Sequence, residues 1–415
     1  MADLGHEVVG VDVDESKIAQ LSAGTPPFYE PGLPEILSSS LQSGRLEFTT
    51  DLSAVRGASV HFVAVGTPQL ADSYGADLRF VDAAFEALLP HLSPGDVVVG
   101  KSTVPVGTAA RLAGLVETTG ATLAWNPEFL REGFAVKDTL TPDRLVYGVR
   151  VGDEASVAAL DEVYASALAL GIPRVVTDFA TAELVKVAAN AFLATKISFI
   201  NAMAEVAEVT GADVTQLADA IGYDARIGRR FLNAGLGFGG GCLPKDIRGF
   251  MARAEELGVD QALGFLREVD SINLRRRERM VDLAREVCGG DLVGKRIAVL
   301  GLAFKPDSDD VRDSPALDVA ARLAELGAVV LATDPQAIET SRRIRPTLNY
   351  VATAQDAVAG ADTVLLLTEW RDYRELDPEA LGELVAVKSI VDGRNCLDPR
   401  EWRAAGWAYR ALGRP

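Results

Sequence analysis

The 415-residue sequence contains few of the residues from which several classes of site are built. Its three cysteines, Cys242, Cys288 and Cys396, are far apart and never spaced as C-x-x-C. This spacing argues against a disulfide framework and a structural zinc site. The three histidines are also far from one another, so no histidine-based metal centre is indicated and no metal is expected.

Positive charge and long apolar runs are scarce as well. The net charge of −18 argues against nucleic acid or an anionic membrane as a main partner. The densest basic stretch, LRRRER at 274–279, is expected to be a solvated helix face. No uninterrupted apolar run approaches the roughly 20 residues of a membrane span, and no basic segment followed by an apolar core opens the chain. A cytoplasmic protein without a membrane partner is therefore expected.

The sequence opens on a strand pattern without a glycine-rich turn before it. HEVVGVDVD, at 6–14, predicts a β-strand that ends in acids, and the DESK that completes this stretch predicts a helix cap. An acid in this place is typical of the second strand of a dinucleotide-binding unit, where a carboxylate binds ribose hydroxyls. Because the first strand and its G-x-G-x-x-G turn are absent from the sequence, we expect a chain that begins late, with Met1 inside the first helix.

The order of strand and helix patterns predicts an α/β protein. Short apolar strands alternate with amphipathic segments up to about residue 150, which indicates a doubly wound, mostly parallel sheet. A helix without Pro or Gly follows from Thr181 to about Thr210, and a second Rossmann-like α/β unit begins near Lys295. We predict an incomplete dinucleotide domain at 1–178, a central helical domain at 179–290 and a second nucleotide-binding domain at 291–415.

The stretch GFGGGCLPKD, at 237–246, is the strongest candidate for a chemical site. A lone cysteine is usually a small buried hydrophobe. The glycines before Cys242 favour another interpretation, because a glycine-rich loop brings backbone N–H groups close to a ligand and lets a substrate reach the sulfur. Lys245 and Asp246 supply a charge and a proton acceptor nearby. We therefore predict a nucleophilic or redox role for Cys242.

Lys186 and Asn190 are four residues apart on the long predicted helix and share one face of it. Such a pair is ordinarily a solvated surface pair. Their neighbours are mostly Ala, Leu and Val, which favours a pair that points into a cleft. A cation and an amide in that position would stabilise an oxyanion on a carbon under attack.

Three further stretches allow two interpretations each. Glu128 and Glu132, in NPEFLREG, follow a predicted strand and suit either a relay or a helix start. Thr67 and Thr103 lie at carboxyl ends of predicted strands, the edge where open α/β sheets bind ligands. FKPDSDDVRDSP, at 304–315, places two cations among acids and also reads as a charged loop that caps a helix.

The ordered motifs together resemble the UDP-glucose/GDP-mannose dehydrogenase family. They are GHEVVGVDVD, YEPGL, KSTVPVGT, NPEFLREG, GFGGGCLPKD and GLAFKPDSDDVRDSP, and the resemblance runs essentially from Leu4 to the end of the chain. The resemblance implies two successive NAD-dependent oxidations of the C6 alcohol of a UDP-sugar, with UDP-glucose as the expected substrate. One departure is Gly241, where the family usually has Ser before the cysteine.

The resemblance also implies roles for individual residues. Cys242 would capture the intermediate aldehyde as a thiohemiacetal that becomes a thioester, Lys186 and Asn190 would stabilise the oxyanion, and Asp246 would be the acid/base partner. The residues implied to order water and substrate are Thr103, Glu128 and Glu132. Those implied to bind NAD are Asp12, Lys17, Thr67, Thr103, Glu132, Lys245 and Arg312. Those implied to bind the UDP-sugar are Glu128, Phe129, Leu130, Lys186, Asn190, Arg226, Phe231, Leu232, Asn233, Ala234, Gly235, Gly239 and Lys305. Arg226 would act across a dimer interface, so a homodimer is expected.

Three alternatives stay open at this point. The substrate is UDP-N-acetylmannosamine or GDP-mannose if the shared motifs serve another nucleotide sugar. A β-hydroxyacid dehydrogenase also places Lys and Asn four apart on a long helix, but Cys242 and residues 295–415 count against it. A nucleotide-sugar-binding chain with impaired catalysis would retain the same residues.

Overall fold

The structure is a computed structural model that describes all residues from Met1 to Pro415. The chain divides into two compact units. The N-terminal unit comprises Met1–Ala189 and Arg248–Asp260, and the C-terminal unit comprises Asn190–Ile247 and Gln261–Pro415. The three-domain division made from the sequence is finer than these two units and stays a prediction.

Seven short strands form the sheets of the N-terminal unit. They are β1 (Val8–Val11), β2 (Leu46–Thr49), β3 (Val60–Val63), β4 (Val97–Gly100), β5 (Thr122–Trp125), β6 (Leu145–Gly148) and β7 (Arg174–Thr177). β1 pairs with β2 in a separate two-stranded sheet, and the other five have the order β3-β4-β5-β6-β7. All pairs are parallel except β5–β6. β1 and β3 belong to different sheets and are not hydrogen-bonded to each other.

Both faces of the five-stranded sheet are covered by apolar side chains. Val98 packs with Phe85 and Leu112 on one face, whereas Val97 and Val99 pack on the other face in a cluster of their own. Successive side chains of β4 thus point to opposite faces, as the period of a strand requires. A strand that is buried on both faces has a continuous run of apolar residues, and the run VVVG indicates β4 in the sequence for this reason.

The α-helices connect and flank these strands. Asp14 caps the first of them by accepting the N–H groups of Ser16 and Lys17, as the DESK motif predicts. The helices are α1 (Glu15–Ser22), α2 (Leu33–Gln42), α3 (Arg79–Leu88), α4 (Thr108–Val116), α5 (Ala135–Leu140), α6 (Glu154–Val163), α7 (Ala165–Ala169), α8 (Phe179–Thr210), α9 (Val214–Gly222), α10 (Leu243–Glu256), α11 (Phe265–Val287), α12 (Pro315–Glu325), α13 (Ile338–Ile344), α14 (Ala354–Val358), α15 (Arg371–Arg374), α16 (Pro378–Gly382) and α17 (Pro399–Ala404).

The C-terminal unit contains one six-stranded, entirely parallel sheet. Its strands are β8 (Arg296–Leu300), β9 (Val329–Thr333), β10 (Asn349–Tyr350), β11 (Thr363–Leu366), β12 (Ser389–Asp392) and β13 (Ala408–Ala411), in the order β10-β9-β8-β11-β12-β13. Ser314 caps α12 with Pro315 at its first position, so the charged loop ahead of it does end in a helix start. The predicted α/β class, with two Rossmann-like sheets and a helical region that contains one long helix, is confirmed.

Helix α8 has 32 residues and is long and apolar enough, by length and composition alone, to cross a membrane. Its polar side chains have partners within the protein, however. Buried Glu183 accepts the backbone N–H groups of Gly107 and Ala109 at 2.8 and 2.7 Å. Buried Asn201 accepts the N–H of Gly235 at 2.9 Å. These contacts are typical of a helix that packs inside a folded chain.

The basic stretch at 274–279 is not the solvated face that its charge pattern predicts. It lies on α11, where Arg276 is completely buried and Arg277 is 5% exposed. Arg276 Nη2 donates to Glu208 at 3.0 Å, and Arg277 Nη2 donates to Asp313 Oδ1 at 2.8 Å. The expectation was wrong because acids far away in the sequence compensate these charges in the interior.

Candidate active site

Asp12 directly follows β1 at the carboxyl edge of its sheet. Its Oδ2 is 2.7 Å from Lys17 Nζ, and its Oδ1 accepts the Asp14 backbone N–H at 3.0 Å. Burial raises the pKa of Asp12, but the hydrogen bonds from Lys17 and the Asp14 backbone outweigh burial and hold the pKa below its usual value. The carboxylate is thus ionised, and 33% of its side chain is exposed, as ribose binding requires.

Thr67 and Thr103 come together where β3 and β4 end. Thr67 Oγ1 donates to the Thr103 carbonyl oxygen at 2.8 Å, and Ser102 Oγ donates to the Val65 carbonyl oxygen at 2.7 Å. These side chains join the two segments that leave the sheet. The edge at which ligands bind in open α/β sheets is therefore fixed by internal hydrogen bonds.

The NPEFLREG loop follows β5 and places Glu128 next to Lys186 of α8. Lys186 is 4% exposed, and its Nζ is 3.3 Å from Glu128 Oε1. Glu128 Oε2 accepts the Leu130 N–H at 2.6 Å, so both carboxylate oxygens are engaged. The Lys186 ammonium also lies 5.5 Å from the centre of the Phe129 ring. Lys186 is therefore a buried cation, and the interpretation of a solvated surface pair is wrong.

Cys242 immediately precedes α10 and is exposed. Its carbonyl oxygen accepts the Asp246 N–H at 2.8 Å, which places the cysteine at the N-terminal end of this 14-residue helix. The positive end of a helix dipole stabilises a thiolate. The other two cysteines are partly buried, and burial raises the pKa of both Cys288 and Cys396. Cys242 is thus the accessible thiol of the three.

Asp246 lies at the centre of a polar cluster in the C-terminal unit. It is 3% exposed and accepts Asn190 Nδ2 at 2.6 Å through Oδ2. Its Oδ1 is 2.8 Å from Lys245 Nζ. Asn190 is 8% exposed and lies one helical turn after Lys186 on α8. The structure thus brings Asn190 and Lys245 together at the Asp246 carboxylate, four residues after Cys242.

The glycines before Cys242 serve packing more than the sequence suggests. A Cβ placed on Gly239, Gly240 or Gly241 would lie 2.3 Å from the Asp313 carbonyl oxygen, 2.7 Å from the Phe304 ring and 2.4 Å from the Arg312 guanidinium carbon, respectively. The Gly240 N–H donates to the Arg312 carbonyl oxygen at 2.8 Å. Glycine is therefore required here because the loop lies against the protein itself.

The segment from Phe231 to Gly235 leads into this glycine loop. Phe231 has a φ of 67°, Leu232 and Ala234 are buried, and Phe231 and Asn233 are exposed. The Ala234 carbonyl oxygen accepts Asn395 Nδ2 at 3.0 Å. Such positive φ values in non-glycine residues cluster at binding sites, where the surrounding contacts hold them.

Sequence reasoning missed the side chains that hold the backbone of this loop. Asn273, completely buried on α11, accepts the Phe238 N–H at 2.7 Å and donates to the Phe238 carbonyl oxygen at 2.9 Å. Asn201 accepts the Gly235 N–H, and Arg394 Nη1 donates to the Gly237 carbonyl oxygen at 3.0 Å. Asparagine is a poor residue for a helix interior, so Asn201 and Asn273 among apolar helix neighbours were the available signal.

The remaining predicted contacts are more dispersed. Arg312 forms a two-pronged ion pair with Asp310, and its Nη2 is 2.7 Å from Asp310 Oδ2. Lys305 lies 5.2 Å from the centre of the Phe304 ring. Arg226 pairs with Asp224 in the same turn, and its side chain is 90% exposed. The structure of the single chain therefore places Arg226 on the surface.

The N-terminal unit contains a second polar cluster that the sequence did not reveal. Lys101 follows β4 and donates to Asn126 Oδ1 at 2.9 Å and to Tyr164 Oη at 3.1 Å. Tyr164 Oη also donates to Asn126 Oδ1 at 2.7 Å. Lys101 and Asn126 belong to the KSTVPVG and NPEFLREG motifs and follow neighbouring strands. Because both residues directly follow neighbouring strands, their positions in the sequence could have indicated this cluster.

The chain matches three consecutive parts of one protein family. Residues 1–168 match the NAD binding domain, residues 180–275 the central domain and residues 298–399 the UDP binding domain of the UDP-glucose/GDP-mannose dehydrogenase family. The fold and the polar cluster around Asp246 thus belong to a chain with an NAD-binding part and a nucleotide-binding part.

Individual relatives cover the whole chain. UDP-glucose 6-dehydrogenase of Rhizobium meliloti is 42% identical over 100% of this chain and 95% of its own length. UDP-glucose 6-dehydrogenase TuaD of Bacillus subtilis is 41% identical over 100% of this chain and 89% of its own length. The solved UDP-glucose dehydrogenase of Pyrobaculum islandicum is 40% identical, with a TM-score of 0.90 over 100% of this chain and 94% of that one. The chain therefore belongs to the UDP-glucose/GDP-mannose dehydrogenase family.

Proposed function

We propose that the protein oxidises the C6 alcohol of UDP-glucose to the carboxylate of UDP-glucuronate, with NAD as the oxidant in two steps. The observation that carries this proposal is the exposed Cys242 beside buried Asp246, which is bonded to both Asn190 and Lys245. The relatives named UDP-glucose 6-dehydrogenase support the choice of sugar. A thiol is required because a two-step oxidation must retain the aldehyde that forms between the steps.

The N-terminal unit supplies groups that fit NAD. The ionised, accessible Asp12 suits the ribose hydroxyls, and Lys17 pairs with it. The family resemblance also assigns to NAD the side chains of Thr67, Thr103 and Glu132 from this unit, and of Lys245 and Arg312 from the C-terminal unit. Bound NAD would supply the hydride acceptor for each oxidation at C6.

Cys242 acts between the two oxidations. Its thiolate adds to the aldehyde carbon, and the C–S bond formed gives a thiohemiacetal. Loss of a hydride and a proton from this adduct gives the thioester. Water then attacks the thioester carbon, the C–S bond breaks, and the acid leaves with the thiol restored. In total one sugar and one water yield one carboxylate, transfer two hydrides and release three protons.

Lys186 and Asn190 stabilise the negative oxygen that develops when sulfur or water adds to the carbonyl carbon. A buried ammonium and an amide N–H are the donors that such an oxygen requires. Asp246 orients Asn190 through the 2.6 Å hydrogen bond, and it is the assigned acid/base group beside the thiol. Glu128 holds Lys186 through their 3.3 Å contact, and Glu128, Glu132 and Thr103 order water and substrate.

The C-terminal unit binds the nucleotide sugar in this proposal. Most of the residues assigned to the sugar nucleotide lie in three segments: Phe231–Gly235, the glycine loop and the turn after β8. In addition to Glu128, Phe129, Leu130, Lys186 and Asn190, they are Arg226, Phe231, Leu232, Asn233, Ala234, Gly235, Gly239 and Lys305. The support is the match to the family's UDP binding domain and the backbone anchors that hold this segment.

The protein acts as a homodimer in this proposal. Phe192, Phe199 and Val206 recur every seven residues on α8 and are 67%, 48% and 52% exposed. Exposed apolar side chains at this spacing line one face of a helix, and a second copy of the chain would bury them. The exposed Arg226 then has a role at the partner's site.

We place the protein in the cytoplasm, without a nucleic-acid or membrane partner. Its three cysteines are free thiols, which suits a reducing compartment. The net charge of −18 disfavours polyanionic partners.

A panel of nucleotide sugars tests the proposed function. The protein is incubated with NAD and UDP-glucose, UDP-N-acetylmannosamine or GDP-mannose, and NADH is counted per sugar consumed. We expect two NADH per UDP-glucose, and negligible acid from the Cys242→Ala variant, with Cys288→Ala as the matched control. One NADH with free aldehyde would contradict the thioester. Turnover only with UDP-N-acetylmannosamine would shift the substrate toward that of the dehydrogenase of Pyrococcus horikoshii, which is 26% identical with a TM-score of 0.85.

A further inference from the structure

The YEPGL motif, at 29–33, contains a buried carboxylate for which the proposed reaction has no use. Glu30 is 5% exposed and forms no ion pair with a Lys, Arg or His side chain. Its Oε2 accepts the Gly133 N–H and its Oε1 accepts the Ala135 N–H, both at 2.7 Å. One carboxylate from near the start of the chain is thus bonded to a loop more than 100 residues later.

The bonded loop is the one that carries Glu128. Carboxylates hold two further backbone N–H groups of this loop: Leu130 N–H donates to Glu128 at 2.6 Å, and Arg131 N–H donates to Asp138 at 2.9 Å. The Arg131 side chain adds two hydrogen bonds to Asp138, at 2.9 and 2.6 Å. The direction of the Glu128 carboxylate, and hence its contact with Lys186, depends on this backbone.

Burying a carboxylate without a cation costs more solvation free energy than burying an apolar side chain of similar size. An apolar side chain would pack there without loss of solvation, whereas an ionised carboxylate requires strong hydrogen bonds to be tolerated. Each of the two Glu30 oxygens accepts one N–H group, and these two N–H groups lie two residues apart in the loop. The chemistry of Glu30 therefore suits fixing a loop conformation.

We propose that Glu30 is a positioning residue: it fixes the 128–134 loop so that Glu128 holds Lys186 in its working orientation. This inference rests on the roles proposed above for Glu128 and Lys186. Glu30 does not touch the reacting atoms, and its effect on turnover passes through Glu128.

Hydrogen exchange tests the structural half of the proposal. Glu30→Gln keeps the shape of the side chain but replaces one carboxylate oxygen with an NH₂ group. This group cannot accept a backbone N–H, so one of the two hydrogen bonds is lost. We expect the Gly133 and Ala135 amides to exchange about 10-fold faster or more than in the unmodified protein. The matched control is Glu35→Gln, an exposed glutamate of the same segment, which should leave both amides unchanged. Equal protection in Glu30→Gln would overturn the proposal. If that variant does not fold, Glu30→Asp, which keeps the charge but shortens the reach, replaces it.

A double-mutant cycle tests the kinetic half. We expect Glu30→Gln to lower kcat about 10-fold in the unmodified background, since small misplacements of catalytic groups have effects of this size or larger. In a Glu128→Gln background the same change should lower kcat less than about 2-fold, because the group that it positions is gone. The same loss in both backgrounds would mean a general structural role and would overturn the proposal. Failure of the proposed function is seen separately, as no NADH from UDP-glucose in the unmodified protein.

Discussion

Two parallel sheets of this protein each have an aspartate directly after one strand, but the two aspartates have different partners. In the N-terminal unit, Asp12 follows β1, is partly exposed and pairs with Lys17. In the C-terminal unit, Asp334 follows β9, is 2% exposed and accepts five donors. Two of these are the N–H groups of Leu302 and Ala303, in the turn after β8.

This difference shows what each sheet can bind. In a dinucleotide fold the turn after the first strand offers its N–H groups to a pyrophosphate. In the C-terminal unit these groups are already bonded to Asp334, so the turn is closed to a second dinucleotide. In the N-terminal unit the Asp12 carboxylate stays partly exposed. The same sheet architecture therefore does not by itself determine which ligand binds. The aspartate that follows the strand differs between the two sheets: Asp334 blocks the neighbouring N–H groups, whereas Asp12 does not.

Removing the two acids should separate their functions most strongly in stability. Asp334→Ala leaves five donors without an acceptor, four of them buried, so we expect the free energy of unfolding of the C-terminal unit to fall by about 3 kcal/mol or more. Asp12→Ala should change the free energy of unfolding of the N-terminal unit by less than about 0.5 kcal/mol. Chemical denaturation followed by tryptophan fluorescence and circular dichroism measures both. Similar losses in the two variants would contradict the contrast.

The next largest effect concerns Lys186, the buried cation of the N-terminal unit. If it stabilises an oxyanion, Lys186→Ala should lower kcat about 10²-fold, since loss of one such donor costs roughly 3 kcal/mol. Lys137→Ala, the matched control, removes a lysine from the same unit without a role in the site. Steady-state NADH production with circular dichroism as a check on folding gives the comparison. An unchanged kcat in the Lys186 variant would remove it from the oxyanion site.

Ligand affinity should divide between the units. Asp12→Asn removes a charged acceptor for ribose, so we expect the Kd for NAD to rise about 10-fold, which corresponds to about 1.4 kcal/mol. The Kd for UDP-glucose should not change, and Glu15→Gln, a neighbouring exposed acid, should change neither. Calorimetric titration with each ligand is the measurement. A parallel loss of UDP-glucose affinity would show that Asp12 does not act on NAD alone.

The smallest effect is expected at Gly241, where the family usually has Ser. A Cβ there meets the Arg312 guanidinium, the far end of a flexible side chain that can move aside. Gly241→Ser should therefore raise the KM for NAD less than about 5-fold. Gly239→Ser is the informative comparison, since its Cβ meets the Asp313 carbonyl oxygen at 2.3 Å, and backbone cannot move aside as easily. A larger loss at Gly241 than at Gly239 would contradict this account of the loop.

Much of the fold was predictable because its strands are buried on both faces. The runs VVVG and RIAVL predict β4 and β8 directly, and DESK predicts the Asp14 cap. The strand β7 escaped prediction because its valines, Val175 and Val176, are exposed at a sheet edge. Short edge strands lack the apolar periodicity on which such predictions depend.

The site was predictable where the chemistry is local and not where it is long-range. Cys242, Lys245 and Asp246 lie within five residues, so their cluster could be inferred from the sequence. Arg276 was misread as solvated because its partner, Glu208, is 68 residues earlier. The role of Glu30 cannot be inferred from its motif, since its hydrogen bonds reach more than 100 residues along the chain. A local pattern holds no information on such partners.

The central claim is that Cys242 carries the sugar covalently between two oxidations, and rapid acid quenching with mass spectrometry tests it most directly. The protein is mixed with NAD and UDP-glucose, quenched within one turnover and digested. We predict that the peptide containing Cys242 gains the mass of the sugar nucleotide as a thioester, while the peptides of Cys288 and Cys396 do not, and that the adduct is absent in Cys242→Ala. Turnover to the acid without any adduct on Cys242 at any quench time would contradict the account.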